Sequence, residues 1–182
     1  MLVLRNAVNR VHWSQGLEYL CNRMARIESQ RVRDGVWRID SGAHLKLYYT
    51  VDRAGWPTSW IWLWQRPGWK AWEVTSVWTF PEQRGRGLAS LLYRSAVNTD
   101  GLLLASGNLH TQYSQALWRK FIRAGTFTIW AQDFKHLDRT SLVEIDTDAD
   151  ELLCDLEIYQ EPKRHHPRRT DVRLLALRKD RS

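Results

Sequence analysis

Residues 81–92 read PEQRGRGLASLL. A proline and an acidic residue lead into two glycines, Gly85 and Gly87, which alternate with Arg84 and Arg86. Leu88, Leu91, Leu92 and Ala96 then recur at i, i+3, i+4 and i+8, the spacing of a helix. The segment just upstream, AWEVTSVWTF over 71–80, reads as a strand stopped by Pro81. The stretch is therefore a strand-to-helix loop. A helix N-terminus presents unpaired N–H groups and the positive end of the peptide dipoles. Gly85 and Gly87 leave the backbone bare enough for a bulky anion to approach, and two arginines add charge, so the loop suits phosphate and above all pyrophosphate. A Walker loop needs Gly-Lys-Ser/Thr, and a dinucleotide fingerprint needs glycine where Ser90 stands. The other reading these residues allow is a plain tight turn.

Working outward, HLKLYYTV (44–51) and TSWIWLWQ (58–65) read as two strands joined through DRAGWP. In the second, Trp60, Trp62 and Trp64 share one face, with Ile61 and Leu63 on the other. VWRID (36–40) is a shorter strand, and LEYLCNRMARI (17–27) has helical spacing. Downstream, the apolar run GLLLAS (101–106) predicts a buried parallel strand. QYSQALWRKFIRAG (112–125) predicts a helix with Tyr113, Ala116, Leu117, Phe121 and Ala124 on its apolar face, closed by Gly125. TFTIWAQDF (126–134) and DVRLLAL (171–177) are further strands. Strand–helix–strand–helix–strand implies α/β layering, in an α+β mixed sheet with at least one parallel pair.

The 182 residues suit one domain, 1–182, with a core over about 17–134 and a C-terminal part, 135–182, that completes the sheet and carries the basic loop PKRHHPRR (162–169). No apolar run is long enough to span a bilayer, and MLVLRNAVNRVHW does not read as a signal peptide. Cys21 and Cys154 have no paired spacing, which argues against a disulfide framework or a metal site and for a cytoplasmic protein. The net charge of +7 favours an anionic partner: a phosphorylated cofactor, nucleic acid or an acidic protein. Seven of the eleven tryptophans fall within residues 56–78, which implies a large aromatic core or an aromatic-lined cleft.

PEQRGRGLA resembles the acetyl-coenzyme A loop of the GNAT superfamily of N-acetyltransferases, R/Q-x-x-G-x-G/A, with Arg84, Gly87 and Ala89 at its three motif positions. The resemblance extends to EVTSVWTF before the loop and to LLLAS and SQALWRKFIRAG after it, about residues 44–130 in all. It implies a central, mostly antiparallel sheet with a splayed parallel pair, flanked by helices. It implies acetyl-CoA as cofactor, with the pyrophosphate on the loop from Arg84 through Gly85, Arg86, Gly87 and Leu88 to Ala89. The pantetheine would pair with Val77, Trp78 and Thr79 like an added strand, and Ser114 falls in register with the family's next helix. ASGNLHTQYSQALWRKF (105–121) looks like a variant of bacteriophage-encoded members, which would place the protein in a host cytoplasm.

The implied reaction is direct acetyl transfer to a primary amine in a ternary complex. A lysine amine is mostly ammonium at pH 7, and deprotonating it costs about 4.6 kcal/mol. A general base offsets this. Glu73 stands where family members carry a catalytic glutamate, on a strand face expected to hold Glu73, Thr75, Val77 and Thr79. A backbone N–H near Trp78 would stabilise the oxyanion. At the position of the family's tyrosine acid stands Phe121, which cannot donate a proton; Tyr113 on the same helix is the substitute, or water. His110 lies in a loop where active-site residues of open sheets gather. The acceptor (a protein lysine, a small amine or a nucleobase) has no signature. Homodimerisation is an expectation from the family. A degenerate coenzyme A-binding module and a nucleic-acid-directed protein of the same fold are the alternatives.

Overall fold

The computed structural model describes residues 28–33, 35–107, 112–133, 143–144 and 172–179. The helix expected over 17–27, His110, both cysteines and the basic loop 162–169 lie outside the described residues. The strands are β1 (Gln30–Arg33), β2 (Val36–Asp40), β3 (Leu45–Val51), β4 (Pro57–Trp64), β5 (Trp72–Thr79), β6 (Leu104–Ala105), β7 (Thr128–Asp133), β8 (Val143–Glu144) and β9 (Val172–Leu177). Helix α1 (Leu88–Arg94) runs on as a π turn over Ser95–Thr99, and α2 spans Gln112–Arg123. The described strands form one sheet in the order β1-β2-β3-β4-β5-β6-β9-β7-β8. Among the described strands only β5–β6 is a parallel pair. The fold is thus a mixed α+β sheet, mostly antiparallel, with one splayed parallel pair flanked by helices, as expected.

The parallel pair is short. The apolar run 101–106 contributes only two ladder residues, and Trp72 and Glu73 of β5 face Leu104 and Ala105 of β6. Beyond that rung the strands part, because β6 ends: the Ser106 N–H donates to the Leu174 carbonyl of β9 at 2.7 Å, and the Leu174 N–H returns to Ser106 Oγ at 3.0 Å. The last described strand thus holds the end of β6 on the side away from β5.

Two apolar layers follow from strand alternation. Under the helices, Tyr48, Ile61, Leu63 and Val74 pack with Leu92, Tyr93, Ala96, Trp118 and Phe121. On the opposite face Ile39, Leu47 and Tyr49 pack with Trp60 and Trp62. Of the tryptophans in 56–78, Trp60, Trp62 and Trp72 are thus core and Trp56 and Trp69 half-buried, while Trp64 is 39% and Trp78 43% exposed. The buried face of α2 is Trp118, Phe121 and Ile122, with Leu117 half-buried. This corrects the expected face, since Tyr113, Ala116 and Ala124 are exposed. The bulk of Trp118 decides the helix's rotation: its ring meets Tyr93 and Phe121 edge-on at 5.8 and 6.0 Å. Gly125, at φ 54°, ends the helix as expected, and the Thr126 N–H closes on the Phe121 carbonyl at 3.1 Å.

One irregularity positions the site. Trp62 pairs with Ser76 but Leu63 pairs with Val74, so Thr75 is an extra residue, a β-bulge. Strict alternation would have put Glu73, Thr75, Val77 and Thr79 on one face. The bulge breaks that set. Val74 and Val77 both pack toward the helices, whereas Glu73, opposite Trp64, falls on the other face.

Candidate active site

Past the Glu73–Ala105 rung, the β6-side edge of β5 has no strand partner among the described residues. A cleft of about 920 Å³ opens there. One wall is β5 from Val74 to Thr79, the second is the loop and first turn of α1, and the third is α2. Val77, Trp78, Thr79, Arg84, Gly85, Gly87, Leu88, Ala89, Tyr113 and Ser114 all line it.

The loop's shape comes from its glycines. Gly85 and Gly87 have φ of 77° and 76°, a region that costs an ordinary L-residue roughly 1–2 kcal/mol. A Cβ built on either would meet nothing within 4 Å. Glycine is thus needed for backbone shape, and the space above the loop is open. Leu88 starts the helix, and the first helical bond runs from the Leu91 N–H to the Gly87 carbonyl. The amides of Leu88, Ala89 and Ser90 thus belong to the first turn, whose N–H groups have no partner within a helix.

The end of β5 is held by a small polar set. Ser59 Oγ donates to the Trp78 carbonyl at 2.8 Å and lies 2.8 Å from Thr79 Oγ1. Arg84 Nε donates to the Thr79 carbonyl at 3.2 Å. The Arg84 guanidinium lies 5.8 Å from the Trp78 ring and 5.2 Å from the Tyr113 ring, which ties the loop to both walls. Arg84 and Lys120 are the formal charges of the lining, with no carboxylate among its described residues.

Arg86 is placed elsewhere. It lines a separate hollow behind the loop with Asp52, Arg53 and Thr58, so the two arginines of the motif diverge. Phe121 is 2% exposed and packed against Tyr93, Trp118 and Phe127, away from the cleft. Tyr113 is 65% exposed at the cleft's rim. A second tyrosine was missed in the sequence: Tyr93, one residue off the leucine pattern of α1, lines the cleft floor. Burial pushes its hydroxyl above the ordinary tyrosine range. Lys120 was also legible in principle, lying seven residues from Tyr113 on the same helix face.

Glu73 sits at the apex where the strands diverge, 4% exposed, on the face opposite Val74. Its Oε2 accepts a hydrogen bond from Arg66 Nε at 2.6 Å. Among the described residues no group of three His, Cys, Asp or Glu side chains is placed to hold a metal ion.

No family model matches the chain, and no curated protein matches it. Among solved structures, one described as a "putative phosphinothricin N-acetyltransferase" aligns over 100% of this chain and 91% of its own, at 19% identity and a TM-score of 0.40.

Proposed function

We propose that this chain is an acetyl-CoA-dependent N-acetyltransferase that acts on a primary amine by direct transfer. The observation that carries the proposal is the continuity of two features: the unpaired edge of β5 and the glycine loop border the same cleft. An extended amide chain adds to a free strand edge by main-chain hydrogen bonds. A diphosphate suits a glycine loop leading into free helix amides. Acetyl-CoA carries both, and the open space over Gly85 and Gly87 together with Arg84 and Lys120 fits its charge.

Bound acetyl-CoA would supply the thioester, whose thiol leaving group has a pKa of about 8.5 and needs little acid assistance. The chain's own residues do the rest. The first-turn amides and Arg84 hold the phosphates. The edge of β5 from Val77 to Thr79 aligns the amide arm. Glu73, at the apex and on the far face, takes the proton of the incoming amine, either directly or through water. Tyr113 at the rim and Tyr93 at the floor are the two phenols available to return a proton.

Calorimetric titration of the protein with acetyl-CoA and with coenzyme A tests the cradle. Micromolar binding followed by amine-dependent thiol release supports the proposal. No heat from a folded sample would reduce the loop to a turn.

A further inference from the structure

Arg66 stands at the start of the turn between β4 and β5, and three independent contacts fix it. The Trp69 N–H bonds to the Arg66 carbonyl at 3.0 Å, with Pro67 and Gly68 between them and Gly68 at φ 80°, the pattern of a type II turn. The guanidinium lies 5.4 Å from the Trp64 ring and 4.8 Å from the Trp69 ring. Its Nε is bound to the buried carboxylate of Glu73. Among the described residues neither Nη group has a hydrogen-bond acceptor, and the side chain is 34% exposed. A guanidinium held this way presents its remaining donors in a planar fork, the arrangement that pairs two-to-two with a carboxylate or phosphate. It does so beside the residue at the apex of the cleft, on the face away from the glycine loop.

We infer that Arg66 is a specificity-determining residue of the acceptor subsite, and that the acceptor is an amine carrying an oxyanion. The inference rests on the acetyltransferase proposal for the word acceptor, but anion binding at Arg66 does not depend on it. A neutral binding partner would give the fork no charge-assisted two-to-two pairing. A second cation would meet Arg66 as a like charge. An anionic amine suits the charges of both residues: its oxyanion meets the Nη groups, and its ammonium lies on the side of the Glu73 carboxylate.

The test is an NMR titration without cofactor, following the indole N–H signals of Trp64 and Trp69, assigned from Trp64→Phe and Trp69→Phe. The probes are 4-aminobutyrate, 2-aminoethyl phosphate and butylamine. Both anionic amines are expected to shift these signals saturably, and butylamine is not; whichever of the two binds more tightly names carboxylate or phosphate as the source. Arg66→Gln should abolish the shifts, and Arg66→Lys should keep a binding at least fivefold weaker. With acetyl-CoA present, Arg66→Gln should lower kcat/KM for the anionic amine at least tenfold, mainly through KM. Equal shifts with butylamine, no shift with either anionic amine, or shifts that survive in Arg66→Gln would overturn the inference. If Arg66→Gln fails to fold, binding by Arg66→Lys equal to the native protein would overturn it as well. Because these signals are read in the absence of acetyl-CoA, the result is separate from the calorimetry of the cofactor.

Discussion

Glu73 and Ala105 form the last rung on which β5 and β6 pair. Everything proposed for the chemistry depends on where that rung falls. One residue further on, Val74 turns toward the helices and the cleft, while Glu73 turns to the opposite face. The bulge at Thr75 then lets Val77 return to the helix side three residues after Val74 instead of two or four. Donor and acceptor would therefore approach from opposite faces and meet at the apex. This geometry makes Glu73→Gln a sharp test. Turnover should fall by about 10²–10⁴, the usual weight of a general base, while the calorimetric affinity for acetyl-CoA stays within about twofold. A pH profile of turnover in the variant that matches the native one from pH 6 to 9 would remove Glu73 from the role.

Gly87 carries a different load. At φ 76° any Cβ-bearing residue is strained, yet nothing lies within 4 Å of the added atom. Gly87→Ala should therefore cost about 1–2 kcal/mol of stability through backbone strain alone. Gly87→Glu adds bulk and a negative charge over the cradle and should abolish binding of acetyl-CoA. Denaturant unfolding and calorimetry on the same preparations separate the two effects. Unchanged affinity in folded Gly87→Glu would defeat the loop assignment.

The motif's two arginines should behave differently. Arg84 lines the cleft between Trp78 and Tyr113, whereas Arg86 lines the hollow beside Asp52. Arg84→Ala should weaken acetyl-CoA binding about tenfold or more, roughly 1.4 kcal/mol. Arg86→Ala should change it less than about twofold, since its charge acts only through solvent. Tyr113→Phe keeps the ring under Arg84 and should bind normally, so any loss of turnover in that variant would assign the Tyr113 hydroxyl a proton-transfer role. Equal losses in the two arginine variants would contradict the geometry.

Alkaline pH should unfold the protein for an identifiable reason. Burial raises the Tyr93 hydroxyl, and burial followed by its hydrogen bond to Asp100 raises that of Tyr48. Each folded tyrosine keeps its proton to a higher pH than the unfolded chain does. The stability they contribute is fully present below the unfolded value of about 10 and falls as pH rises above it. Each group steepens that fall by up to about 1.4 kcal/mol per pH unit. Denaturant midpoints between pH 8 and 11 should drop, and less so in Tyr48→Phe or Tyr93→Phe. A flat profile above pH 10 in the native protein would show that neither tyrosine is held protonated.

Local signals carried much of this architecture. VWRID at 36–40 is β2 residue for residue, and the strands around Asp52 and before Pro81 lie within a residue or two of their sequence limits. Period two and turn chemistry are read along the chain itself. The glycine loop was legible for the same reason: φ above zero and a following helix are local demands. What was not legible depends on partners distant in sequence. The bulge at Thr75 is a register difference between two strands, and nothing within EVTSVWTF announces it. The second sheet partner of β6 is a strand nearly 70 residues later in the chain, which the apolar run 101–106 does not encode. The rotation of α2 hinged on which large side chain filled the space beside Tyr93, and leucine-type counting gave Trp118 no priority. Arg66 was not legible because its ring and carboxylate partners come together only in the turn.

Phe121 gives the last test, because the sequence and the structure point to opposite experiments. From the motif alone, Phe121→Tyr looks like a restoration of a missing acid. In the structure Phe121 is 2% exposed, with the Tyr93, Trp118 and Phe127 rings 5.2, 6.0 and 5.0 Å away. A hydroxyl added there must fit among three packed rings, of which only Tyr93 carries a side-chain acceptor. An unsatisfied buried hydroxyl costs about 1–3 kcal/mol, and the extra volume adds strain. Phe121→Tyr should therefore lower the unfolding free energy by about that amount and leave kcat no higher than in the native protein. A gain in kcat at unchanged stability would mean that the ring reaches the cleft, and that the core packing described for α2 gives way to it.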